Sequence, residues 1–589
     1  MIGFRAERSV LGLMLALATG PALAQQPIQL VPPPQPWGAP ASQQPVQLVP
    51  PPQPLGTPAA APAPVQPSPR VQDFYGGPVQ SGGQLAPVDN ASIGIVDTIA
   101  SGLPGDLWRG TDRASAILLI EGLPGAPRSR ILRDLQFRLL TMIANPPVGA
   151  NPPGKDFVAA RIARLSDMGE VEAVGQMTQA AGPMSGEAAQ RLNIENQLVA
   201  GEVKAACSTP MAQNSADPFW TKLVIVCQVV SGQNSQAMLN VDLLRERGVA
   251  DTGFYVAVDY ALGTRSTKPP ANIGTDVLSQ ALLRAANPKA GGTLGNETTP
   301  AQLRQIAANT AAPLALRIEA AERGEALGVI DPRQLLELYQ AGADAPGLSP
   351  QVKRRAQAVR DALRATDLGD KVKGMQAAFR AAENSALFTT MARVLGEQLV
   401  KIFPEHKTAP MAADTARAFL ALNDFPRAVE WYYTVAGGAT IDTQYEAPTV
   451  QLWPVMQLAD NASSIPWEPG YLARWQAQNA KHPRGAQRAA VLAALLQALG
   501  EPVDRAEFNP PAATGFANPP QAVLARLAQS AQQGRVGETV ALAAQASGET
   551  NLTAVSPATL GAIVQALRQI GLPDVARRFA VEVALAHAL

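Results

Sequence analysis

The sequence predicts an all-α protein, and three observations carry that prediction. From about Asn90 onward, apolar residues recur three and four positions apart in short runs. Strand-like alternation is scarce along the same stretch. Gly, Pro, Asn and Asp separate the runs, and several starts share one punctuation, a capping side chain followed by proline: Asp217-Pro218, Thr299-Pro300, Asp331-Pro332, Ser349-Pro350, Asn518-Pro519 and Ser556-Pro557. The cap oxygen satisfies an orphan N–H, and proline supplies a helical φ where its missing N–H costs nothing.

Taken in order, residues 1–24 read as a secretory signal peptide. Arg5 and Arg8 stand at the head, an apolar run spans Val10 to Ala18, and Ala22-Leu23-Ala24 closes the segment. The run is about half the roughly 20 residues a membrane-spanning helix needs, so cleavage before Gln25 is expected, leaving no membrane span. No cysteine lies near the cleavage site, which excludes an acylated N-terminal cysteine.

Residues 25–88 form a proline-rich segment with an 18-residue tandem repeat, "QQPIQLVPPPQPWG" from Gln25 and "QQPVQLVPPPQPLG" from Gln43. Roughly one-third proline with almost no charge favours polyproline II and builds no core, so a disordered arm is expected. Fully extended, its first 45 or so residues would reach about 140 Å. Two readings stand: a spacer, or two copies of a docking motif anchored by Ile28, Leu30, Val31 and Trp37.

The body divides into an N-terminal helical domain, 89–290, and a C-terminal helical-repeat domain, 291–589. The proposed breaks are the Gly-, Pro- and Thr-rich stretches at 263–274 and 287–300, with another irregular patch at 507–520. The chain has two cysteines, Cys207 and Cys227, and export to an oxidising compartment predicts a disulfide between them. Only 5% of residues are aromatic, so the core is expected to rest on Ala, Leu and Val. Helices of ordinary length joined by brief turns predict antiparallel hairpins stacked in series as an α-solenoid.

The clearest hairpin is "MAADTARAFLALNDFPRAVEWYYTV", residues 411–435, which resembles a tetratricopeptide repeat. Ala416, Phe419, the Asn423-Asp424-Phe425 turn, Ala428, Val429 and Tyr432 carry the resemblance. Val435 departs from it, as does the lack of a closing proline. Echoes occur around Gly534, Gly571 and Gly169, at irregular spacing rather than the family's fixed period. The resemblance implies a tetratricopeptide-like architecture over about 385–589 that presents a surface to proteins or peptides, and it implies no catalysis.

Composition narrows function further. Lys plus Arg and Asp plus Glu balance at 48 each, so no global field draws a polyanion, and nucleic-acid binding is disfavoured. "GANPPGKD", Gly149 to Asp156, follows a phosphate-loop pattern until Asp156 replaces the hydroxyl residue, and its two prolines remove backbone donors. It is read as an interhelical loop. His406, His482 and His587 lack metal-ligand spacing, and no cofactor or metal is expected. Glu319 and Glu322, interleaved with Arg317 and Arg323, read as a solvated face, as does the basic run Lys353, Arg354, Arg355, Arg360 and Arg364.

The remaining feature is a concentration of aromatics between Phe419 and Trp475 that holds four of the seven tryptophans. Trp431, Tyr432, Trp453, Trp467, Tyr471 and Trp475 are the candidate binding residues, either as a groove for a peptide or sugar, or as hairpin-to-hairpin packing. Together these features predict a non-enzymatic periplasmic scaffold or tether binding an envelope protein or peptide. The alternative is a peptidoglycan-binding or peptidoglycan-modifying component with Glu430 or Glu468 as acid.

Overall fold

The computed structural model describes residues 89–589, apart from 183–186, 211–214, 265–275, 288–293, 296–297, 384–386, 461–463, 502, 504–507, 509 and 511–513. The signal segment, the proline-rich arm and much of the irregular stretches at 263–274, 287–300 and 507–520 therefore lie outside the described residues. Among the described residues the fold is all-α. Helices fill the chain from Thr98 to Ala586, and β-structure is limited to the isolated bridges Val96–Met142, Asp112–Val148 and Ala517–Val555. No described helix is long and apolar enough to cross a membrane.

Five of the six cap-proline pairs start helices as expected. Asp217 accepts from Phe219 N at 2.9 Å, and Asp331 accepts from Arg333 N at 2.7 Å. Thr299 forms a reciprocal capping box with Gln302, and Ser349 and Ser556 cap Val352 and Thr559. The exception is Asn518-Pro519, where the helix begins later, at Gln521–Gln532, with Pro520 as its N-cap. A second proline explains the delay, because Pro520 disfavours the α conformation at Pro519.

Many successive helices pack on one another, though Gly485–Leu499 packs on Pro557–Gln569 and not on Gln521–Gln532. Pro350–Arg364 pairs with Leu368–Glu383, Ala412–Ala421 with Phe425–Ala439, Gln521–Gln532 with Val536–Ser547, and Pro557–Gln569 with Pro573–Ala586. The turns at Gly169, Gly534 and Gly571 are all left-handed, with φ of 75°, 65° and 83°. In the 411–435 hairpin that position falls to Asn423, at φ 59°. Asp424 then caps the second helix through Arg427 N. Small residues set the closest approaches: a Cβ on Gly374 would lie 2.7 Å from Ala362 Cα.

The interior gathers into two apolar clusters. One draws on residues between Ile194 and Leu282, and the other on residues 91–192 together with 303–589. The first holds the predicted disulfide, Cys207–Cys227, with Cα atoms 5.6 Å apart. In the second, helix Arg130–Thr141 packs against Val536–Ser547 and Pro573–Ala586, so early and late parts of the chain meet. Glu582 sits beneath the start of Arg130–Thr141, accepting from Arg130 N at 2.6 Å and from the Ser129 hydroxyl. Gly537 N donates to Leu107 O at 2.8 Å and Gln545 Nε2 to Leu119 O at 2.9 Å.

Two solvated-face expectations are corrected. Glu322 and Arg355 are buried and paired at 2.6 Å, and the Tyr339 hydroxyl donates to the same carboxylate at 2.7 Å. Glu325, one turn on, is fully buried between Arg393, at 2.6 and 3.0 Å, and Arg130, at 3.0 Å. Helix phase is the reason: 322 and 325 share the inward stripe with Ile318 and Ala321, and the partners come from other helices.

Candidate functional site

The aromatic concentration spans three helices, Phe425–Ala439, Glu446–Ala459 and Pro469–Asn479. Trp431 and Tyr432 lie on the inward face of the first, in phase with Ala428 and Val435. Trp453 occupies a helix buried from Leu452 through Leu458. Trp431, Trp453 and Trp475 are each only 1% exposed, and Tyr432 is also buried. These four are core residues, which corrects their candidacy as direct contacts. The helical spacing that suggested a binding stripe is the same spacing that packs one hairpin on the next.

Trp467 and Tyr471 are half-buried and partly accessible. Tyr471 stacks on Trp453 at 5.8 Å, and Trp467 lies 5.1 Å from the same indole, so both rings rest on a buried base. The Arg474 guanidinium covers Tyr471 at 4.2 Å. The segment carrying Trp467 is pinned: Gln457 Nε2 donates to Ile465 O at 3.1 Å and Pro466 O at 3.0 Å, and Asp460 accepts from Ile465 N at 2.6 Å. Tyr433, absent from the sequence-derived candidates, is 47% exposed, and its hydroxyl donates to Ser464 O at 2.8 Å. The accessible aromatic face is thus Tyr433, Trp467 and Tyr471, edged by exposed Glu430 and Glu468. Sequence phase marks Tyr433 as outward once Tyr432 is inward.

The phosphate-loop lookalike is an interhelical loop. Asp156 caps helix Phe157–Asp167 by accepting from Ala159 N at 2.8 Å, and Lys155 pairs with Glu121 at 2.5 Å. Among the described residues no group of three or more His, Cys, Asp or Glu side chains is placed to hold a metal. His587 is buried, 3.2 Å from Leu552 O, and burial pushes its pKa down to about 4. A wider groove of about 700 Å³ runs between Gly485–Leu499 and Pro557–Gln569. Its walls include Ala494, Ala498, Gly561 and Ala562.

No family model matches the chain, and neither a curated protein nor a solved structure is similar to it.

Proposed function

We propose that the chain is a non-enzymatic scaffold or tether of the bacterial envelope that binds a protein or peptide through its helical surface. The observation that carries this reading is the serial packing of helices on their sequence neighbours from Pro300 to Leu499 and again from Gln521 to Ala586, with helix Gly485–Leu499 passing over to Pro557–Gln569 between the two runs. Such an order is how tetratricopeptide-like solenoids are built, and they display wide surfaces to partners. The charged N-terminus, apolar run and small-residue cleavage site support export to the periplasm, with the proline-rich arm giving reach.

The docking face in this proposal is Tyr433, Trp467 and Tyr471. Tyr and Trp bury large area at small entropic cost, and loops fixed on a rigid scaffold are favoured positions for binding. The peptidoglycan reading has less support, since three of the tryptophans proposed as a sugar platform are interior.

The test is a crosslinking pull-down from producing cells with the mature chain and a Trp467→Ala/Tyr471→Ala variant of unchanged helicity. The proposal expects a defined envelope protein with the first and its loss with the second. Capture of cell-wall glycan in place of a protein would overturn it.

A further inference from the structure

The aromatic face carries a charge pattern that selects among partners. Between Asp424 and Arg474 six carboxylate residues stand against two arginines and no lysine, in a chain that balances 48 cations against 48 carboxylates overall. Both arginines are already matched, Arg427 by Asp424 and Arg474 by Glu446 at 3.8 Å. Two of the remaining carboxylates serve the backbone: Asp442 accepts from Gln444 N at 2.9 Å and Asp460 from Ile465 N at 2.6 Å. Glu430 and Glu468 are left, both exposed and neither in an ion pair among the described residues. Glu468 is the N-cap of helix Pro469–Asn479 and makes no capping hydrogen bond through its side chain.

These two carboxylates stand beside the rings. Glu430 lies three positions before Tyr433 on helix Phe425–Ala439, one turn away on the same side. Glu468 adjoins Trp467 in sequence and lies one turn before Tyr471, whose N donates to Glu468 O at 2.9 Å. The rings themselves converge: the Tyr433 hydroxyl meets Ser464 O at 2.8 Å, three residues before Trp467, while Trp467 and Tyr471 share the Trp453 base. Buried Tyr432 lies against Tyr433, with ring centroids 5.5 Å apart. Burial raises the Tyr432 pKa, and Tyr471, Tyr433 and Glu468 add to the rise, so the carboxylate and both rings gather round one phenol.

A ring face attracts cations through its quadrupole. Arg474 does this within the chain, its guanidinium lying 4.2 Å from the Tyr471 centroid. Among the described residues no cation covers Tyr433 or Trp467. An anionic polymer or lipid headgroup would meet Glu430 and Glu468 as like charges. A neutral sugar could stack on the rings but would leave both carboxylates unused.

We propose that this face takes a basic peptide segment of an envelope protein, with an arginine or lysine side chain laid on Tyr433 or Trp467 and neighbouring cations paired with Glu430 and Glu468. The assignment rests on the docking role of Tyr433, Trp467 and Tyr471 and adds the partner's chemistry to it.

Calorimetric titration of the full mature chain tests it with three blocked heptapeptides in which glycine alternates with arginine, glutamine or glutamate. Saturable binding of the arginine peptide alone is expected, weakening as salt is raised. Glu430→Gln/Glu468→Gln, at exposed positions outside the ion-pair network, should weaken it about three- to tenfold, the scale of two exposed charge pairs. Trp467→Ala/Tyr471→Ala, checked for unchanged helicity, should weaken it about tenfold. Glu246→Gln/Glu337→Gln, the same charge change at exposed sites elsewhere, should leave it unchanged. Equal binding of the glutamine peptide would overturn the basic partner and leave the aromatic face standing. Arginine-peptide binding that Trp467→Ala/Tyr471→Ala does not touch would overturn the face itself. Preference for the glutamate peptide, equal loss in both glutamate-to-glutamine variants, or no saturable binding would overturn the assignment as well.

Discussion

Glu325→Gln should be among the most damaging single substitutions outside the apolar core. The wild-type carboxylate is fully buried and takes a two-point contact from Arg393, at 2.6 and 3.0 Å, and a third bond from Arg130 at 3.0 Å. The glutamine amide leaves two largely buried guanidinium groups facing each other without that charge. Burial and the nearby Arg393 already hold the Arg130 pKa down, at about 10, against the pull of Glu325 and Glu582. Removing one partner of a buried pair costs about 3–5 kcal/mol. With an unfolding entropy of about 2.1 cal/mol/K per residue over roughly 500 residues, a cooperative melt would shift by about 3–5 °C. Urea unfolding followed by circular dichroism reads the loss directly. A Glu325→Leu/Arg393→Met double variant should recover part of it, since it removes one of the two guanidinium groups that lose the carboxylate and leaves only Arg130 without it. If Glu325→Gln lies within about 1 kcal/mol of wild type, the claim that this network ties helix Leu314–Leu327 to its neighbours is wrong.

Three further outcomes follow from the same physics. His587 is held neutral by burial, with its pKa lowered from 6.5 to about 4, so its contribution is present above pH 6.5 and lost as pH falls toward 4. Stability should drop by up to about 3 kcal/mol across that window, and His587→Gln should flatten the profile measured by urea unfolding at several pH values. Replacing both Cys207 and Cys227 with Ala should cost about 3 kcal/mol, with hydrogen exchange accelerating first in the 194–282 cluster and little change elsewhere. Asn423, at φ 59° in the 411–435 turn, predicts that Asn423→Ala destabilises by about 1 kcal/mol while Asn423→Gly does not, as thermal melting would show.

The helical class was legible because local signals decide it. Ser, Thr and Asp caps before proline, and glycine at left-handed turns, act within a few residues of themselves and need no tertiary context. The Cys207–Cys227 bond was legible for another reason, since two cysteines allow one pairing. What sequence could not supply was orientation. Trp467, Tyr471 and Trp475 share a helix-spaced stripe, yet Trp475 is interior and the other two are partly open: Phe508 and Arg488 close over Trp475, whereas Trp467 and Tyr471 rest on Trp453. Glu322 and Arg355 looked like ordinary surface charges, since each is buried by the other from 33 positions away. Helix phase relative to Ile318 was the available signal. The Gly537–Leu107 and Glu582–Arg130 contacts, which join early and late chain, have no local signature at all.

The most direct measurement of the scaffold claim is site-specific photocrosslinking in producing cells, with a photoreactive residue at Tyr433 and, as a control, at exposed Lys353 on helix Pro350–Arg364. A discrete protein adduct is expected from position 433, absent from position 353 and lost when Trp467→Ala/Tyr471→Ala is added. No adduct at 433, the same adducts from both positions, or an adduct that survives the double substitution would contradict it.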